Sequence, residues 1–181
     1  PTLRSSDLVL RGLESRFTVL TGGFRTALPR HQTLRAMIDW SWSLLADDER
    51  AALSRLAVFP AGVSVEESRT LATTMRLSGP TVFDSLVDRS LLQRSRGRYR
   101  ALETIREYGI ERLAEAGLLA DAREAQVRHL RDHAASADRG VRGPGVHDAI
   151  DWFDSEEDNL AAALRYATRT GMAQEAIGLR T

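Results

Sequence analysis

His129 and His133 stand four residues apart in a stretch with helical apolar spacing. On a helix that interval places two imidazoles on one face, where a pair of rings can share a divalent cation. No third ligand stands at a useful spacing in the sequence. A surface pair on an amphipathic helix accounts for the two rings as well, so no metal site is expected. The run Glu156-Glu157-Asp158 offers neighbouring carboxylates. Acid–base catalysis needs two carboxyl groups in different environments across a cleft. Adjacent acids near the start of a helix are instead favoured in solvent by the helix dipole, and that is the reading adopted here. Serines are frequent, yet no GxSxG elbow is present. All 25 basic residues are arginine, and lysine and cysteine are both absent. Within these residues this removes the phosphate-loop lysine, Schiff-base chemistry, disulfides and thiolate zinc sites. The glycine-rich GVRGPG, lacking lysine and a following Ser/Thr, reads as a joint. The chain is therefore expected to be non-enzymatic, with no catalytic residues and no cofactor of its own.

The arginines of QRSRGRYR pose a separate question. Arg94, Arg96, Arg98 and Arg100 flank Gly97, and as a wing they could contact the phosphate backbone of DNA. With Arg96-Gly97 as a two-residue turn, Arg94 pairs opposite Tyr99 and Gln93 opposite Arg100. Arg94 then faces away from Arg98 and Arg100, and the four make no single basic face. A three-residue turn reverses that conclusion. The helix before the hairpin, PTVFDSLVDRS, carries Asp84 and Asp88 beside Arg89, a poor surface for a polyanion. DNA contact through this wing is not favoured.

The elements that must position these residues are mostly helical. Leu8, Leu13, Phe17 and Leu20 mark an amphipathic stretch ending at Thr21-Gly22-Gly23, and Pro29 closes the connection. A helix follows from Thr33, a plausible N-cap, with Leu34, Met37, Ile38, Trp42 and Leu45 on one face. Trp40, Trp42 and Trp152 lie among aliphatics at helical spacing and are expected in the core. After the polar joint Ala46-Asp47-Asp48 comes a helix with Leu53, Leu56 and Ala57, ended by Pro60. In GVSVEE, Ser64 and Glu67 have the spacing of a capping box that opens a third helix. Pro80 suits the first turn of a fourth, with Val82, Phe83, Leu86 and Val87 apolar.

The period then changes to that of a β-hairpin around Arg96-Gly97. A helix resumes near Glu103, with Leu102, Ile105, Gly109 and Leu113 along one side, and Gly117 closes it. Val127, Leu130, Ala134 and Ala137 mark the next helix. Ile150 to Ala167 and a segment from Met172 complete an alanine-rich, closely packing helical region. Helix, helix, short strand, helix, helix, hairpin, helix is the order of a winged helix with added helices. The expected fold is mainly α: a winged helix with a small hairpin wing, followed by tetratricopeptide-like antiparallel helices.

Composition sets the bounds. The 181 residues suffice for one domain or two small ones, and 43% hydrophobic with 28% charged residues is a globular balance. Acidic and basic residues both number 25, so no overall positive field draws nucleic acid. No apolar run reaches the roughly 20 residues of a membrane span. No membrane partner is expected, and a reducing cytoplasm suits a chain without cysteine. A chain opening on Pro1 is expected to be part of a longer protein.

The segment LPRHQTLRAMIDWSWSLLADDERAALSRLAVFPAGVSVEE resembles the winged-helix segment after the nucleotide-binding core of bacterial STAND-class signalling ATPases, and more distantly that of NB-ARC proteins. SLVDRSLLQRSRGRYRALETIREYGIERLAEAG and DWFDSEEDNLAAALRYA follow in family order, so the resemblance covers nearly the whole chain. Such segments occur in large bacterial transcriptional regulators of the LuxR-like and AfsR-like kinds. The resemblance implies residues 1–27 as the tail of the ATPase lid, 28–117 as the winged helix and 118–181 as the start of a helical array. ATP or ADP and magnesium would belong to an ATPase core of the same polypeptide. The array would receive a protein or small-molecule ligand.

NB-ARC proteins carry a Met-His-Asp motif after the wing, whose histidine senses the nucleotide phosphate. The matching triplet here is Ala101-Leu102-Glu103, in which leucine cannot donate a hydrogen bond and only Glu103 keeps the acidic character. Arg100 and Arg106 are the candidate substitutes, so Arg100, Leu102, Glu103 and Arg106 are the nucleotide-proximal set. Two other readings stand beside the regulatory one: a winged helix that itself binds DNA, and a free-standing protein-interaction scaffold.

Overall fold

A computed structural model describes residues 29–74, 77–141 and 145–179. The helix expected around Leu8–Leu20 and the Thr21-Gly22-Gly23 link lie outside them. The chain divides into two units, residues 1–44 and 45–181.

In the first unit, helix α1 spans Pro29–Ser43. It starts four residues before the expected Thr33 cap. Proline suits a helix's opening turn, because its missing N–H is one the helix leaves unpaired anyway. Ile38 is buried, but Leu34, Met37 and Trp40 are 42%, 61% and 67% exposed, so the expected apolar face is largely open and Trp40 is no core residue. Trp40 follows Ile38 by two positions, about 200° around the helix, and cannot share its buried side. Trp42 and Trp152 are half-buried.

The second unit begins with α2, Asp47–Leu56, whose Glu49 carboxylate accepts the Ala46 backbone N–H at 2.9 Å. Three acids in its first turn and Arg55 in its last complement the helix dipole. Strand β1, Val63–Ser64, leads into α3, Val65–Thr74. The capping box is formed: Glu67 N–H donates to Ser64 Oγ at 3.0 Å, and Ser64 N–H donates to Glu67 Oε2 at 2.9 Å. Helix α4, Thr81–Asp88, follows Pro80 and buries Val82, Phe83 and Leu86.

Strands β2, Leu92–Ser95, and β3, Arg98–Ala101, form the hairpin, and the sheet order is β1-β3-β2, all antiparallel. Arg96 and Gly97 both have positive φ, 49° and 73°, as a two-residue primed turn requires. The register is therefore Arg94 opposite Tyr99 and Gln93 opposite Arg100. Tyr99 is buried and stacks on Phe83 with ring centroids 5.5 Å apart, which joins sheet to α4.

Helix α5, Glu103–Glu115, crosses α2 closely. A Cβ added at Gly109 would stand 2.8 Å from Ala57 Cβ. Leu102 lies just outside α5 as its N-cap and is exposed, so it is not part of the buried stripe of Ile105, Tyr108, Gly109 and Leu113. Gly117, with φ 70°, ends the helix.

Two long helices follow, α6 at Leu119–Val141 and α7 at Val146–Thr170, and they pack on each other through small residues. Ala134, Ala149, Ala163 and Ala167 are all buried. Gly171, with φ 76°, caps α7, and a short α8, Ala173–Gly178, packs against both. The architecture is mainly α with a small antiparallel sheet, in the order of a winged helix followed by further helices. Among the described residues no helix is long and apolar enough to cross a membrane.

Candidate functional site at the wing

The turn between α2 and β1, residues 57–62, is where the elements of the second unit meet. Its backbone groups are read by side chains from the wing, α5, α6 and α7. Arg106 of α5 donates to the Ala57 carbonyl at 3.3 Å, and Gln126 of α6 to the Val58 carbonyl at 2.7 Å. Asn159 of α7 accepts the Ala61 N–H and donates to the Gly62 carbonyl, each at 2.9 Å. Arg98 of the wing donates to the Ala61 and Gly62 carbonyls at 3.3 and 3.0 Å. Gly62 has φ 69°, and a Cβ there would lie 2.0 Å from the Tyr99 carbonyl oxygen, so only glycine lets the turn press against β3.

Behind this turn is a buried charge pair. Arg98 Nη1 stands 2.6 Å from Glu156 Oε1, and the Glu156 side chain is 1% exposed. The contact is electrostatic, since Oε1 makes no aligned hydrogen bond. The other oxygen accepts from Asn159 Nδ2 at 2.5 Å. Burial first, then the nearby Glu67 carboxylate, pushes the Glu156 carboxyl above its ordinary range despite the arginine.

This corrects the reading of Glu156-Glu157-Asp158 as a solvated acidic start. The helix begins ten residues earlier, at Val146, so no dipole end is near. Glu157 and Asp158 are exposed, but Glu156 and Asn159 share the buried face of α7 with Ala149 and Ala163. Glu156 was singled out by sequence reasoning only as one of three solvated acids, and Asn159 and Gln126 were not singled out at all. The available signal was a polar residue inside an apolar helical stripe, as at Gln126 beside Val127 and Leu130.

The wing arginines go to four different places. Arg94 pairs with Asp84 at 3.4 Å and lies over the Tyr99 ring, 5.7 Å from its centroid. Arg96 is exposed at the turn, Arg98 points to α7, and Arg100 is exposed on β3. The hairpin therefore presents no continuous face of four arginines. Asp84 also accepts the Tyr99 hydroxyl at 2.6 Å, so the helix preceding the wing brings a carboxylate to the hairpin.

An open cleft of about 440 Å³ lies between the wing and α7. It is lined by Arg100, Leu102 and Glu103 together with Pro60, Asp158 and Arg165. Arg100, Leu102 and Glu103, three of the four residues expected from the resemblance to lie near nucleotide, thus share one hollow. The fourth, Arg106, holds Glu103 with two hydrogen bonds, at 2.9 and 2.5 Å, while reaching the Ala57 carbonyl. The Arg106 hydrogen bond keeps the Glu103 carboxyl below its usual range, which fixes it as an anion. Arg100 and Arg165 are the cleft's exposed cations.

His129 is not a surface residue. Its side chain is 12% exposed, with the Phe59 ring edge-on at 6.0 Å, and His133 is half-buried beside Trp152. Glu67, a residue of α3, lies against the pair, with Oε1 4.0 Å from His129 Nε2.

A Mycobacterium tuberculosis (strain ATCC 25618 / H37Rv) protein bearing the name "Putative HTH-type transcriptional regulator" is 36% identical over 178 residues, covering 93% of this chain and 20% of the relative. The protein of that name in Mycobacterium bovis aligns with the same identity and coverage. This chain is homologous to a segment of those large proteins. It spans about one-fifth of their length. An uncharacterized Mycobacterium tuberculosis protein is 38% identical over 132 residues, covering 68% of this chain and 33% of that protein. No protein-family model matches the chain, and no solved structure matches it.

Proposed function

We propose that this chain is a non-catalytic regulatory segment of a STAND-type ATPase that acts as a bacterial transcriptional regulator. Residues 28–117 act as its winged helix and residues 118–181 as the start of its ligand-receiving helical array. Residues 1–27 are the tail of the ATPase lid. The segment couples occupancy of the array to the nucleotide state of an ATPase core in the same polypeptide, in the cytoplasm. ATP or ADP and magnesium belong to that core.

The observation that carries this reading is the buried Arg98–Glu156–Asn159 junction. A movement of α7 cannot leave the wing untouched, because Asn159 and Arg98 hold the same Gly62 carbonyl. Coupling of this kind needs an element with two arrangements that both sites bias. The turn at residues 57–62, bound by side chains from the wing and the helices, is that element. The cleft beside it carries two exposed arginines, Arg100 and Arg165, together with the carboxylates of Glu103 and Asp158. The homology to a segment of proteins named as HTH-type regulators supports the transcriptional setting.

A fluorophore attached through Arg100→Cys tests the reading, once any cysteines outside this cysteine-free segment are replaced. In the complete regulator its emission is expected to change when ADP is exchanged for ATP. Indifference to nucleotide, in a protein shown to bind it, refutes the placement. The DNA-reading alternative predicts steeply salt-dependent anisotropy with a labelled duplex, lost on neutralising the exposed Arg96 and Arg100.

A further inference from the structure

We propose that Glu67, His129 and His133 form a binding site for one divalent transition-metal ion of the zinc class, joining helix α3 to helix α6. One ligand atom from each residue lies within 4.8 Å of the other two. The histidines share a face of α6, with ring centroids 4.3 Å apart, and the carboxylate arrives from a helix more than fifty residues earlier in the chain. That carboxylate is the third ligand which the sequence spacing does not show.

The groups are pre-oriented in the way metal ligands are. His133 Nδ1 lies 3.1 Å from the His129 carbonyl oxygen. A carbonyl only accepts, so Nδ1 carries the proton and Nε2 keeps its lone pair for a cation. Glu67 is held from behind by the Ser64 N–H on Oε2, and its Oε1, which accepts the Trp152 indole N–H at 3.4 Å, lies toward His129. Phe59 and Trp152 flank the imidazoles, and Glu67 is buried, so the ion would sit against a largely apolar wall.

An ordinary ion pair does not explain the cluster. His129 Nε2 and Glu67 Oε1 stand 4.0 Å apart, longer than a hydrogen-bonded pair. Two imidazoles and one carboxylate are a frequent zinc donor set, with a fourth position left for water or another ligand. Bonds of about 2.0–2.1 Å at tetrahedral angles separate ligands by roughly 3.3 Å. The observed separations, at most 4.8 Å, must therefore close by up to about 1.5 Å on binding.

The test is calorimetric titration of the full, chelator-treated chain with zinc chloride, repeated for His133→Gln, Glu67→Gln and His147→Gln. Glutamine at position 67 can still serve the capping box, so the fold is expected to survive, as checked by circular dichroism. One ion per chain is expected, with affinity falling at least about tenfold in the first two variants and unchanged in the third. Cobalt should give the visible absorption of a tetrahedral site in the parent chain and lose it in His133→Gln. Absence of stoichiometric zinc binding overturns the proposal, as does binding that is unchanged in both His133→Gln and Glu67→Gln.

Discussion

Asn159→Ala is the most informative single change at the junction. Asn159 is fully buried and makes three polar contacts: from the Ala61 N–H, to the Gly62 carbonyl and to Glu156. Truncation strips two backbone groups of this partner, and each buried group left unsatisfied costs about 1–3 kcal/mol. The carboxylate loses its one aligned donor among the described residues, and three heavy atoms leave a small hole. Gly62 keeps Arg98, which offsets part of the loss, and the expected destabilisation is about 3–5 kcal/mol. Urea unfolding followed by both far-UV circular dichroism and tryptophan fluorescence measures it, with an unchanged slope as the sign that only stability moved. Exchange of the Ala61 amide should accelerate in the native state. Asn159→Asp keeps the acceptor for Ala61 but turns the Gly62 donor into an acceptor and sets a second carboxylate beside Glu156. It should do no better than alanine at neutral pH and should recover on acidification. A loss under about 1 kcal/mol for Asn159→Ala, or a tolerated Asn159→Asp, would refute the claim that this side chain clamps the turn.

Other changes probe the same account from different sides. Arg98→Ala leaves Glu156 buried without its cation, which costs about 3–5 kcal/mol where the acid is ionised. Because the folded-state pKa of Glu156 is raised, its protonated form persists above the ordinary glutamate range, and the stability this confers is full below the unfolded value and lost as pH rises from there through the raised one. Denaturation at pH 5 and pH 8 should therefore show the smaller Arg98→Ala penalty at the lower pH. Glu49 behaves oppositely: burial raises it, but bonds from Ser85, Ala46 and Arg89 together hold it low. Its stabilisation is present above the unfolded value and disappears as pH falls through the lowered one, so Glu49→Gln should flatten the acid limb of the stability curve. Gly62→Ala combines left-handed strain of about 1–2 kcal/mol with a backbone clash, and thermal melts should show a loss well above that strain alone.

The order of elements was legible because its signals are local. Pro80 at a first turn, the Ser64/Glu67 box and the Arg96-Gly97 turn each act within four residues, and the hairpin register followed from turn length. The junction was not legible, for the opposite reason. Whether Glu156 is solvated or buried depends on where α7 begins and on what Arg98 meets more than fifty residues away. The glycine-rich joint hid that start, and a run of three acids looks alike in either setting. The His129–His133 pair has the same character, since its third neighbour comes from α3. Trp40 failed differently: helical spacing shows which residues share a face but not whether a partner covers it.

The central claim is that the junction transmits between the helical region and a nucleotide-bearing core, and release of a fluorescent ADP analogue from the complete regulator tests it most directly. The account predicts that Arg98→Ala and Asn159→Ala change the release rate while a substitution at exposed Arg96 does not. Wild-type release rates in both junction variants, with the weakened junction verified by denaturation, would contradict it.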